Sequence, residues 1–191
     1  MTPEPTLPDA TNETTPIFTI GYGAQKKPRL PALKLDELAH VREQLGAVIV
    51  DVRARPYSRW RKELDCPALT KRFPGVYIAM STLLGNQVRA LPGKVEPDGI
   101  DWLRGYDQTA PLLLMCLEKA PGECHRHHAI AMQLPPDSVI HLYHDGEEWT
   151  AIEAYELERS LLEDNDCRYL PCGDPFNADC LRSAGVCRGK A

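Results

Sequence analysis

The sequence lacks an apolar run long enough to cross a bilayer: the longest, Leu112 to Leu117, falls far short of the ~20 residues a membrane-spanning helix needs. No charged segment followed by an apolar stretch opens it, so no secretory leader is read and a cytoplasmic location without membrane partners is expected. Basic charge is in deficit, with 22 Lys+Arg against 27 Asp+Glu and a net charge of −5. That balance disfavours broad charge-driven binding to nucleic acid, while leaving room for a local basic pocket.

Several chemical signatures are missing too. There is no Walker A sequence, and Gly21-Tyr22-Gly23 begins like a dinucleotide loop only until Lys26 stands in place of the third glycine of G-x-G-x-x-G. No nucleotide cofactor is therefore expected, and hydride chemistry does not fit. Neither Cys116 nor Cys124 has an arginine six residues on (Gly122 and Ile130 stand there), which disfavours a phosphatase loop wrapped around its thiolate. The H-x-E and P-C-x-x-C elements of zinc deaminases are absent as well.

What is present is globular: 191 residues, 43% hydrophobic and 26% charged, enough for one domain with its own core. The 17 prolines imply many loops, and 7 cysteines, an odd count without a leader, do not suggest a disulfide framework. Residues 1–16, rich in Thr, Pro and acid, read as a disordered arm. Residues 17–163 read as an α/β domain and 164–191 as a cysteine-rich appendage. Strands are expected at Ile17–Ile20, Ala47–Val52, Leu112–Cys116 and Val139–Tyr143, with a weaker one at Val76–Ala79. Leu35, Leu38, Val41 and Leu45 predict a helix closed by Gly46. Further helices are expected over Ile100–Tyr106 (capped by Asp98 with Asp101), over Glu123–Gln133, and from Thr150, with Glu153 in the capping box, to Leu162. The alternation predicts a single-domain α/β fold with a mostly parallel sheet flanked by helices, its chemistry at the carboxyl ends of the strands.

Two stretches there carry reactive groups. Asp51-Val52-Arg53, followed by Ser58-Arg59, could offer guanidinium forks to a phosphate or carboxylate; equally, Asp51 could pair with Arg53 internally. Cys116-Leu117-Glu118 places a thiol and a carboxylate on the same side of an extended strand end. Cys124-His125-Arg126 would occupy the first turn of the next helix, where the field lowers a thiol pKa and favours an anion. The expected catalytic set is Asp51, Cys116, Glu118, Cys124 and His125, with Tyr22, Arg53, Ser58, Arg59 and Arg126 binding substrate. His141 and His144 more simply satisfy local hydrogen bonds, and Trp60 and Tyr77 read as packing aromatics.

The tail concentrates Cys167, Cys172, Cys180 and Cys187, four thiols that could hold zinc or an iron–sulfur cluster. Their 4-7-6 spacing lacks C-x-x-C pairs, and free thiols are the competing reading.

Together Thr19-Ile20-Gly21-Tyr22-Gly23, Val50-Asp51-Val52-Arg53 with Pro56 and Ser58-Arg59, Leu84-Gly85, Cys116-x-Glu118, Cys124-His125-Arg126 and Val139-Ile140-His141 resemble the bacterial family called domain of unknown function 488, over roughly residues 17–145. The resemblance implies an α/β domain and marks those Asp, Arg, Ser, Cys, Glu and His positions, without naming a reaction. Asn86 departs from it, standing where the family has a second glycine. Two functions are expected to compete. One is a hydrolase or group-transfer enzyme acting on a phosphate-bearing small molecule or nucleic-acid end. The other is a non-catalytic anion- or nucleic-acid-binding module with a metal knob built on the four tail cysteines. A metal on Cys116, Cys124 and neighbouring histidines ranks behind both, because an arginine so near would repel a cation. In the second reading the knob would contact nucleic acid or a protein partner.

Overall fold

The computed structural model describes residues 16–23, 32–58, 61–88, 90–106, 110–144 and 149–163. Residues 1–15 of the N-terminal arm, Arg59, Trp60 and the four tail cysteines lie outside the described residues.

Six strands form one sheet: β1 (Ile17–Gly21), β2 (Val48–Asp51), β3 (Tyr77–Ala79), β4 (Leu112–Cys116), β5 (Val139–His144) and β6 (Trp149–Glu153). Their order is β3-β2-β4-β1-β5-β6. The first five run parallel, and β6 closes one edge antiparallel to β5. β4 is central and buried at every position. Leu112, Leu114 and Cys116 face one apolar layer, and Leu113 and Met115 the other, as the period of 2 demands. Each buried leucine there contributes about 1.5–3 kcal/mol.

Helices cover both faces. α1 (Leu35–Leu45) and α2 (Cys66–Arg72) supply Leu38, Val41 and Leu69 to the Leu113/Met115 layer. α3 (Pro97–Gly105) brings Ile100 and Leu103 to the opposite one. The chain moves outward from β1 through β2 to β3, then turns back through β4 to β5, so right-handed crossovers put the helices on opposite faces. β1 and β4 lie side by side where the direction reverses, which is where open α/β sheets place their clefts.

α1 ends as its sequence predicts: Gly46 adopts φ 61°, and the backbone N–H groups of Gly46 and Ala47 return to the carbonyls of Glu43 and Arg42. Elsewhere tertiary demands override local signals. α3 begins after Glu96, with Pro97 in its first turn, so Asp98 is not the cap, and Asp101 pairs with Arg104 at 3.2 Å. Thr150 and Glu153 lie in β6, not at a helix start; pairing with β5 wins, and α4 spans Ala154–Glu163. The expected helix over Glu123–Gln133 is three short turns: a 3-10 turn at Pro121–Glu123, a π turn at Arg126–Ile130 and a 3-10 turn at Ala131–Gln133. From these turns Arg126 reaches Thr19, Glu118 and Lys119, His127 reaches Glu158 and His141, and His128 reaches Gly122. Cys124 is extended and stands just ahead of the π turn, its carbonyl accepting from His127 N at 3.0 Å, so it heads the turn instead of lying within it.

Gly21 and Gly23 allow close packing of two main chains. A Cβ on Gly21 would sit 1.9 Å from the Glu118 carbonyl oxygen, and one on Gly23 2.3 Å from that of Leu117. These glycines let the segment after β1 lie flush against the segment after β4, where Tyr22 and Gly23 donate to the Cys116 and Leu117 carbonyls at 3.2 and 2.7 Å. Gly21→Ala is expected to lower stability by about 1–3 kcal/mol, more than Gly105→Ala, whose added methyl meets open space. Equal denaturation midpoints for the two variants would contradict this.

Candidate active site

Beyond the ends of β1, β2 and β4 opens a cleft of about 660 Å3. Its lining includes Tyr22, Arg53, Arg55, Ser58, Asn86, Gln87, Cys116, Glu118 and His125. Among the described residues, three of the four exposed large hydrophobic side chains, Tyr57, Val88 and Leu117, stand at this cleft.

Four of the five expected catalytic residues come together here. Glu118 Oε2 lies 3.0 Å from Cys116 Sγ and 3.2 Å from Cys124 Sγ. His125 Nδ1 lies 3.8 and 3.7 Å from the same two sulfurs. Cys116, Cys124 and His125 are buried, and Glu118 alone is exposed. On its other side the imidazole is pinned: Nε2 lies 3.1 Å from Val52 O and 3.0 Å from Leu84 O. Both partners are carbonyls and only accept, so Nε2 carries a hydrogen, and Nδ1 is the ring atom that faces the sulfurs.

Arg126 lies behind this group, wholly buried. Its guanidinium donates to Thr19 Oγ1 at 3.2 Å, Glu118 O at 2.5 Å and Lys119 O at 2.8 Å. Among the described residues no carboxylate pairs with it. Its charge reaches both sulfurs. Burial presses the Cys124 thiol upward, but the hydrogen bond from Cys116, then Arg126 and His125, hold it well below the ordinary thiol range. Cys116 is correspondingly raised by its hydrogen bond to Cys124 and by burial. Burial, then the charge on Cys124, raise Glu118. Against burial, the hydrogen bond with Cys124 raises His125. The two sulfurs thus share their protons as one unit.

The remaining expectations divide. Arg53 does not present an open fork: its guanidinium grips both carboxylate oxygens of Asp51 and donates to Tyr22 Oη at 3.0 Å and Leu64 O at 2.9 Å. Asp51 is fully buried and also accepts from Tyr77 Oη at 2.6 Å, so Tyr77 does more than pack. Asp51 does not line the cleft, and its carboxylate positions Arg53 instead of meeting a substrate. Arg126 likewise gives its donors to the chain's own oxygens, so neither buried arginine is the free fork the spacing suggested. Ser58 reaches the cleft wall, and its hydroxyl accepts from Arg61 N at 3.0 Å. Asn86, the departure from the resemblance, staples its loop by accepting from Val88 N and Lys94 N.

Sequence reasoning missed one network. Glu158 Oε2 meets His127 Nε2 at 2.8 Å, His127 Nδ1 meets His141 Nε2 at 3.0 Å, and His141 Nδ1 meets Thr19 Oγ1 at 2.7 Å. With Glu158 ionised, a single set of tautomers satisfies every member in one direction, from the Thr19 hydroxyl to the carboxylate. The two histidines lie 14 residues apart on different elements, and nothing in their local spacing signals the contact. His141 is held neutral, pushed down to about 2 by burial and then by Arg126 and the other histidines.

Compared with family models, curated proteins and solved structures, the chain matches none.

Two outcomes follow. Asp51→Asn leaves Arg53 buried without its countercharge and is expected to cost about 3–5 kcal/mol in denaturant unfolding; an unchanged midpoint would refute the pairing. His141 binds a proton in the unfolded chain below its ordinary value of 6.5 but not in the folded one until about 2. Stability should therefore fall as pH drops through that window, by up to about 1.4 kcal/mol per pH unit from this group. NMR of the folded protein should show no His141 titration between pH 5 and 8, and a midpoint there would contradict the buried neutral state.

Proposed function

We propose that the chain is an enzyme of the hydrolase or group-transfer class, acting on a small anionic, phosphate-bearing substrate with an apolar or aromatic body, such as a nucleotide or a nucleic-acid end. The observation that carries this reading is the convergence of Glu118, His125 and two thiols beside a cleft that also gathers exposed Tyr57, Val88 and Leu117. Reactive groups at the base and apolar groups at the walls match a ligand with a reacting polar end and a body to be packed. Glu118 is the exposed member of the set, so it is the group assigned to proton transfer with substrate. Arg53 and Arg126 are occupied internally, so among the described arginines contact with the anion falls to Arg55 at the wall. Membership of domain of unknown function 488 belongs to the same proposal: its motif residues Asp51, Arg53, Cys116, Glu118, Cys124, His125 and Arg126 gather at one end of the sheet.

The test is a turnover screen of the full chain against phosphate monoesters, diesters, nucleotides and short oligonucleotides. On whichever substrate responds, Glu118→Gln should lower kcat by about 10²–10⁴-fold. Arg55→Ala should raise KM about 10-fold with kcat largely kept, since it removes binding common to ground and transition states. Salt-dependent binding without turnover across the panel would overturn the enzyme reading in favour of a binding module. Full activity in Glu118→Gln would remove the assignment of the acid–base group.

A further inference from the structure

We infer that Cys116, Cys124, His125 and Glu118 form a binding site for zinc or a similarly thiophilic divalent ion. This deepens the functional reading and depends on it only for the statement that the ion faces a substrate.

Geometry is the first argument. The four donor atoms, two sulfurs, one imidazole nitrogen and one carboxylate oxygen, all lie within 4.8 Å of one another. A tetrahedral ion about 2.0 Å from nitrogen or oxygen and about 2.3 Å from sulfur separates its ligands by roughly 3.3–3.8 Å. The sulfur–nitrogen separations of 3.8 and 3.7 Å already have that span. The sulfur–oxygen separations of 3.0 and 3.2 Å are those of thiols hydrogen-bonded to Glu118, and that exposed side chain can swing outward when thiol protons give way to an ion.

Orientation is the second. A metal-bound imidazole usually donates its remaining N–H to a carbonyl or carboxylate, which fixes the ring. His125 does so twice, to Val52 O and Leu84 O, leaving Nδ1 aimed at the sulfurs.

Charge is the third, and it reverses the objection that a nearby arginine repels cations. Arg126 is buried without a carboxylate partner among the described residues, an arrangement that calls for a compensating anion. Two thiolates and one carboxylate around a divalent ion sum to −1, which with the Arg126 charge gives zero. The arginine thus complements the loaded site. The paired thiolates select zinc-like ions over magnesium or calcium, whose ligands are oxygens. Three ligands are buried and the fourth, Glu118, is at the cleft, so its position is the one a water or substrate oxygen can take.

The His127, His128 and Glu158 group is a weaker competitor. His127 already meets Glu158 and His141 directly, and His128 Nε2 meets Gly122 O at 2.9 Å.

The test uses the full chain, purified under reductant, and a variant in which Cys167, Cys172, Cys180 and Cys187 are all serine, so that the tail cannot contribute. Metal analysis should find about one zinc per chain in that variant. Replacing zinc by cobalt should give an intense thiolate-to-cobalt absorption and a tetrahedral visible spectrum. In the full chain, Cys116→Ser should lower the zinc content by one equivalent, while Glu118→Gln retains the ion with weaker affinity. The cobalt spectrum needs no change at the site, so the test survives a Cys116 variant that fails to fold. A tail variant that holds no zinc and takes up no cobalt overturns the inference, as does a folded Cys116→Ser chain with undiminished metal. Zinc bound at this site without turnover would overturn the enzyme reading alone. Turnover undiminished in metal-free protein would overturn the metal site's part in catalysis while leaving that reading in place.

Discussion

The candidate site depends on how one imidazole is held. His125 Nε2 is placed between the carbonyls of Val52, just past β2, and Leu84, in the loop before α3. That bridge ties two stretches distant in the chain to the turn after β4. It also fixes which ring nitrogen faces the thiols, and with it whether the group can bind an ion or accept a proton. The chain continues from His125 into the π turn at Arg126–Ile130, a form often found at functional sites. His125, Arg126 and His127 each need a separate partner within the fold.

Charge is distributed in two compartments. Asp51 and Arg53 neutralise each other beside β2, with Tyr22 and Tyr77 satisfying the remaining polar atoms. Burial first, then the Asp51 hydrogen bond and charge, press the Tyr77 phenol upward, which keeps it a donor. Among the described residues Arg126 donates to neutral oxygens only, and the sulfur pair is where anionic charge can gather. The line from Thr19 through His141 and His127 to Glu158 connects the back of Arg126 to α4. A buried polar chain of this kind is stabilising only when each member is satisfied, and here each is.

Much of this was legible in the sequence. The β-branched run before Asp51 and the apolar run ending at Cys116 marked buried strands, and reactive residues directly after them fell where parallel sheets concentrate chemistry. Cys116, Glu118, Cys124 and His125 did gather in one place. Arg53 and Asp51 were legible only as two alternatives, since spacing two apart suits an internal ion pair as well as an open fork, and packing decided for the pair. β6 was hidden because Thr150 and Glu153 carry a helix-capping signature, which pairing with β5 overrode. The short turns after Pro121 were hidden because long-range hydrogen bonds, absent from any local pattern, break what reads as one helix. The histidine chain was invisible for the same reason. The glycines after β1 were visible, but their purpose, close approach of two main chains, needed the third dimension.

The most direct measurement of the central claim is X-ray absorption at the zinc edge on the zinc-loaded chain whose four tail cysteines are serine. The account predicts two sulfur neighbours at about 2.3 Å and two nitrogen or oxygen neighbours at about 2.0 Å, one of them an imidazole. A shell of oxygen and nitrogen alone would show that the two sulfurs, the imidazole and the carboxylate do not act as one centre.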